Sequence, residues 1–151
     1  AVANFLRMSS TRGPGSLEWL LELTDSIITY RSRYSRLPEL LPVIDLLVFD
    51  DSNPHGIIFQ ASVLARYLDR MARELGEHSE SNLPDVLARL RAFDLEPLEH
   101  LQFSECRTCS PCEELADLLK ELDAAAVQLA AWLGMRYFTH VGDVSRQTMA
   151  L

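Results

Sequence analysis

Pro42-Val-Ile-Asp-Leu-Leu-Val-Phe-Asp-Asp-Ser-Asn-Pro54 decides the fold of this chain. Its first half is apolar on nearly every side, interrupted only by Asp45, and it ends in an acidic corner that resembles the start of a helix. Ser52 or Asn53 can accept hydrogen bonds from the unpaired amides of a first turn, and Pro54 suits the first helical position. Val43, Ile44 and Val48 would also suit a buried strand. No partner strand is legible elsewhere, however, and a lone strand leaves its backbone polar groups unpaired. The segment therefore predicts a helix from about Glu39 to Phe49, covered on most sides.

Working outward, Gly13-Pro14-Gly15 breaks an irregular opening of residues 1–15, and Ser16 can cap a first helix. Leu17, Leu20, Leu21, Thr24, Ile27 and Ile28 recur at helical spacing, which predicts one amphipathic helix to about Tyr34. Beyond Pro54, Ile58, Ala61, Leu64, Leu68 and Leu75 mark a helix that Gly76 can end. Val86, Leu87, Leu90 and Phe93 mark another, capped by Asn82 and ended or kinked at Pro97. Ser110-Pro-Cys-Glu113 reads as a capping box before a stripe running from Leu115 to Leu133. Residues 141–151 read as a loose tail. Short links between such stripes predict an all-α antiparallel bundle of about five helices over residues 16–140, with Leu21, Ile28, Leu46, Leu47, Ile58, Leu64, Leu90, Leu122 and Leu129 in its core.

Composition narrows the function. The 151 residues are 48% hydrophobic and 24% charged, the balance of one soluble domain able to bury about two thirds of its extended-chain surface. Fourteen basic against 22 acidic side chains leave a net charge of −8. That charge disfavours nucleic acid and anionic membrane as partners. No apolar run approaches the roughly 18 residues of a membrane span. The opening Ala-Val-Ala-Asn-Phe-Leu-Arg7 has neither an initiator Met nor a signal-peptide layout, so we expect an internal cut in a longer polypeptide. The odd cysteine count speaks against a secreted disulfide framework and for a cytoplasmic protein.

Three groups of residues carry possible chemistry. Arg31 and Arg33, with Tyr34, Asp45, Asp50 and Asp51, could hold an anionic peptide or nucleotide through the guanidinium fork, or could pair internally to satisfy a buried acid. The two arginines are two residues apart and diverge by about 200° on a helix, so at most one turns inward. Asn53 and His55 stand where free amides attract anions and where an imidazole titrates near neutral pH; the plain alternative is an Asn-Pro cap beside an exposed histidine. His140, after two aromatics, either joins a site or simply packs. Cys106, Cys109 and Cys112 have spacing that suits zinc or an iron–sulfur cluster, but lack a fourth ligand unless His100 supplies one. Cys112 also sits in a helical first turn, which favours the thiolate. We expect the three thiols to be incidental, with no metal and no cofactor.

Leu23-Thr-Asp-Ser-Ile-Ile-Thr-Tyr-Arg-Ser-Arg-Tyr34, Val43-Ile-Asp-Leu-Leu-Val-Phe-Asp-Asp-Ser-Asn-Pro54 and Arg136-Tyr-Phe-Thr-His140 resemble the C-terminal half of the bacterial Alpha-E family. Its members are predicted all-helical proteins named for a Glu-Arg motif. They occur beside, or fused to, circularly permuted ATP-grasp proteins, and near transglutaminase-like proteases and a proteasome-related hydrolase. The resemblance spans about residues 16–140. It departs at His55-Gly56, where the family usually has Arg-Ser, and at Thr139, where it usually has Ser. The half that carries the Glu-Arg signature is missing. The resemblance implies an accessory or binding module of an ATP-grasp-linked peptide or amide-bond forming system, whose partner is an ATP-grasp protein, the missing half of its own chain or a peptide. The alternative it implies is part of an enzyme active site, completed by that missing half, acting on a peptide or acyl-phosphate.

Overall fold

The computed structural model of the protein describes residues 1–7, 14–34, 37–76, 81–99 and 110–138. All regular structure among the described residues is helical: α1 (Val2–Arg7), α2 (Pro14–Leu23), α3 (Ile27–Tyr34), α4 (Leu40–Ile44), α5 (Ile57–Leu75), α6 (Leu83–Arg91), α7 (Glu96–Glu99) and α8 (Ser110–Tyr137), with a π-helical turn over Asp45–Phe49 continuing α4. The all-α class holds. Eight helices among the described residues replace the expected five or so.

The added α1 and the split between α2 and α3 have physical origins. The stripe from Leu17 to Ile28 is broken at residues 24–26. The Thr24 hydroxyl donates back to the Leu20 and Leu21 carbonyls at 2.9 and 3.2 Å, the kind of local bond that competes with helix propagation. Asp25 then takes a left-handed conformation, φ 52°, which Asp tolerates better than most residues. The break re-aims the next helix, and Ile28, expected in the core, is 78% exposed. The opening is not irregular throughout, since Val2, Phe5 and Leu6 of α1 are buried against α8. Six residues are too few to show a period in sequence, and such a short helix owes its existence to packing. Pro14, expected to break the chain, instead opens α2, because proline fits the first turn of a helix.

The deciding segment is helical and central. Val43, Ile44, Leu46, Leu47 and Val48 are all buried. The Asp50 amide bonds back to the Asp45 carbonyl at 2.8 Å, a five-residue step that widens the turn. α8 supplies the other half of the core. Leu115, Leu118, Leu119, Leu122, Ala125 and Leu129 are buried along one face, against α1, α6 and α7. α6 adds Leu83, Val86, Leu87 and Leu90. α5 packs on α6 and on the π turn, with Ile58 and Ala61 buried and Leu64 half-buried. It ends at Gly76, φ 65°, a left-handed cap that glycine adopts without penalty. Among the described residues no helix is long and apolar enough to cross a membrane.

Candidate functional site

Most of the acidic corner is engaged in internal contacts. Arg33, in the last turn of α3, forms an ion pair with Asp50 and donates to the Ser52 hydroxyl at 3.1 Å. Ser52 donates to the other Asp50 oxygen through its amide (2.8 Å) and its hydroxyl (2.6 Å). Burial alone would raise the Asp50 carboxyl, but the Ser52 bonds and the Arg33 guanidinium outweigh it and hold the group below its ordinary value. One turn of chain earlier, the Tyr34 hydroxyl donates to Asp45 at 3.4 Å. Burial and the Asp45 carboxylate raise the Tyr34 phenol above its ordinary value. At least one of Arg31 and Arg33 was expected within reach of Asp45, Asp50 or Asp51, and Arg33 on Asp50 meets that expectation; Asp45 itself was expected to be buried. It is half-buried and its partner is the tyrosine.

Arg31 points elsewhere, as the 200° divergence requires, and meets Glu18 of α2 at 3.4 Å on the surface. Asp51 is exposed. Asn53 is buried at 1% exposure, with its side-chain amide donating to the Leu46 carbonyl at 2.9 Å and its oxygen accepting from the His55 amide at 3.2 Å. Asn53 is thereby engaged in a turn rather than capping a helix, and α5 begins at Ile57, not at Pro54. Gly56 closes the turn so tightly that a Cβ there would lie 2.9 Å from the Asp50 carbonyl oxygen and 3.0 Å from that of Asn53. His140 lies outside the described residues, as do Cys106, Cys109 and the fourth-ligand option His100. Cys112 is 2% exposed among the leucines of α8, a setting that opposes thiolate reactivity. Among the described residues no cluster of His, Cys, Asp and Glu has the arrangement of a metal site.

Of the candidates, His55 opens onto a cavity. It stands at one end of a groove of about 730 Å³ between α1, the start of α5 and the middle of α8, a volume in the range of small-molecule and peptide sites. The walls are apolar, from Val2, Ile57, Ala61, Leu64 and Leu122, while His55, Gln60, Tyr67, Lys120 and Asp123 add polar groups. Gln60 already donates to the Pro54 carbonyl at 2.6 Å. The sequence reading missed Gln60, Tyr67, Lys120 and Asp123. One signal was available: Lys120 is the single lysine of the chain. Tyr67, 60% exposed on α5, carried none, because its neighbour across the groove comes from residues more than fifty positions away.

Residues 2–138 match the model of the Alpha-E family, described as a predicted alpha-helical domain with a conserved ER motif. The chain belongs to that family. The match begins earlier than the motifs at residues 16–140 suggested, taking in α1, and it does not rest on an adjacent Glu-Arg pair, which the 151 residues do not contain. No curated protein and no solved structure matches the chain.

Proposed function

We propose that this domain is a non-catalytic accessory module of a cytoplasmic, ATP-grasp-linked system that forms or modifies peptide or amide bonds, and that it positions a partner or a peptide substrate there. One observation carries the reading: Arg33, Asp50 and Ser52, and likewise Tyr34 and Asp45, satisfy one another, while the groove beside His55 offers apolar walls with Tyr67, Lys120 and Asp123 at its edge. The corner is built to hold α3 against the turn before α5. The groove is built to receive something. The ATP-grasp context rests on the resemblance of the motifs alone.

The second reading, an active site completed by a missing N-terminal half and acting on a peptide or acyl-phosphate, draws on the presence of His55, Lys120 and Asp123 in the same groove. An imidazole, an amine and a carboxylate are the groups that acid–base chemistry uses. The two readings part in one experiment: purification of the full-length protein with a tagged ATP-grasp protein from the same source, with and without ATP, followed by an assay for amide-bond formation. The accessory reading expects co-elution, and turnover that requires the ATP-grasp protein. Failure to co-elute in either condition sinks it, and turnover by the full-length protein alone establishes the second reading.

A further inference from the structure

Two charged side chains of α8 face the groove beside His55, and neither is answered inside the fold. α5 packs against α6 and the π turn, and α8 against α1, α6 and α7, which leaves the groove where α5 and α8 face each other. Lys120 and Asp123 stand on its α8 side, and both are exposed. Among the described residues neither side chain forms an ion pair. They are three residues apart and so are neighbours on one helix face. The lysine precedes the acid, the less favourable order for pairing within a helix. One cation and one anion thus stand side by side over apolar walls. A purely apolar occupant would take both from water without a partner, which is costly. A purely anionic one would meet Asp123 and a chain of net charge −8, and a purely cationic one would meet Lys120. An occupant that carries both charges and no net charge answers both side chains and is not repelled.

We propose that the groove takes a short zwitterionic peptide of two or three apolar residues. Its α-carboxylate lies on Lys120, its α-ammonium on Asp123, and its side chains on the wall of Ile57, Leu64 and Leu122. The proposal rests on the reading of the groove as a receiving site and names what it receives. Size agrees with charge. The α5 wall runs from Ile57 to Tyr67, about 15 Å at 1.5 Å per residue. An extended peptide of two or three residues spans roughly 7–11 Å, so it lies within that wall with both ends inside the groove. Its two ends are bracketed by the long, flexible lysine stem and the short aspartate one turn away. A single amino acid would fill little of the 730 Å³. A longer peptide would carry one terminal charge beyond the reach of the pair.

Calorimetric titration of the full-length protein with Leu-Leu, N-acetyl-Leu-Leu and Leu-leucinamide tests this. Leu-Leu should bind saturably, with a Kd on the order of a millimolar or tighter for a ligand of this size. Capping either end should weaken it by roughly threefold or more, the scale of an exposed ion pair. Lys120→Gln and Asp123→Asn alter exposed positions and should leave the far-UV circular dichroism unchanged. Lys120→Gln should erase the difference between Leu-Leu and Leu-leucinamide while leaving the penalty of the N-acetyl group. Asp123→Asn should do the reverse. No saturable binding of Leu-Leu overturns the proposal. So do capped peptides that bind as well as Leu-Leu, or penalties that neither variant changes. Capture of the ATP-grasp protein, measured on the same preparation, separates this inference from the reading beneath it. Capture without peptide binding overturns the peptide alone, whereas peptide binding without capture overturns the accessory role and leaves the peptide site standing.

Discussion

At the scale of single residues, the corner that joins α3 to the turn before α5 is held by ordinary chemistry rather than by one dominant bond. The Arg33 side chain is 40% exposed and that of Asp50 12%, so water screens the pair. Arg33→Ala should cost about 1 kcal/mol, the scale of a partly exposed bridge, rather than the 3–5 kcal/mol of a fully buried one; urea unfolding measures which. Because the Asp50 carboxyl is held below its ordinary 3.8, its ionised form stabilises the fold. That contribution is complete above the ordinary value and disappears as pH falls through the lower folded value. The stability gap between the natural chain and Asp50→Asn should therefore narrow as unfolding is measured from neutral pH down to about 3, and a gap that stays constant would remove Asp50 ionisation from the account. Tyr34 works at the other extreme. Its phenol is raised above 10.0, so the neutral hydroxyl on Asp45 helps below that value and is lost as pH climbs through the raised one. Asn53→Ala leaves the Leu46 carbonyl and the His55 amide without this partner and should cost about 1–3 kcal/mol.

At the scale of elements, the apolar pattern carried the helices and the core wherever it was long. Val43 to Val48 read as covered on most sides, and all but Asp45 are buried; Leu21, Leu46, Leu47, Ile58, Leu90, Leu122 and Leu129 are buried as their spacing required, while Leu64 is only half-buried. Ile28 fails because periodicity assumes an unbroken helix. Nothing in Leu23-Thr-Asp-Ser26 forbids one, and the break depends on the Thr24 hydroxyl choosing the Leu20 and Leu21 carbonyls. Leu21→Ala should cost about 2–5 kcal/mol, whereas Ile28→Ala should stay within about 0.5 kcal/mol. Equal costs would mean that α2 and α3 form one helix in solution. The turn at Gly56 was likewise beyond reach of pattern, since its tightness is set by the backbone oxygens of Asp50 and Asn53. Gly56→Ala must displace backbone rather than a flexible side chain, and should lower stability by about 1–3 kcal/mol.

At the scale of the whole molecule, the proposed function gives different tasks to two regions near Asn53. The acidic corner was legible because its residues stand close in sequence and their charges announce a pairing, although the sequence could not tell pairing from ligand binding. The groove was legible only at His55. Its other polar groups come from α5 and α8, which are distant in the chain and meet only in the fold. The central claim is that the groove binds and the corner supports. Capture of the tagged ATP-grasp protein by Tyr67→Ala and by Arg33→Ala full-length chains, compared at equal folded concentration, tests this most directly. The account predicts that Arg33→Ala captures as well as the natural chain and that Tyr67→Ala, at an exposed groove position, loses capture while melting at an unchanged temperature. Capture lost in Arg33→Ala with its melting temperature intact, and kept in Tyr67→Ala, would contradict it.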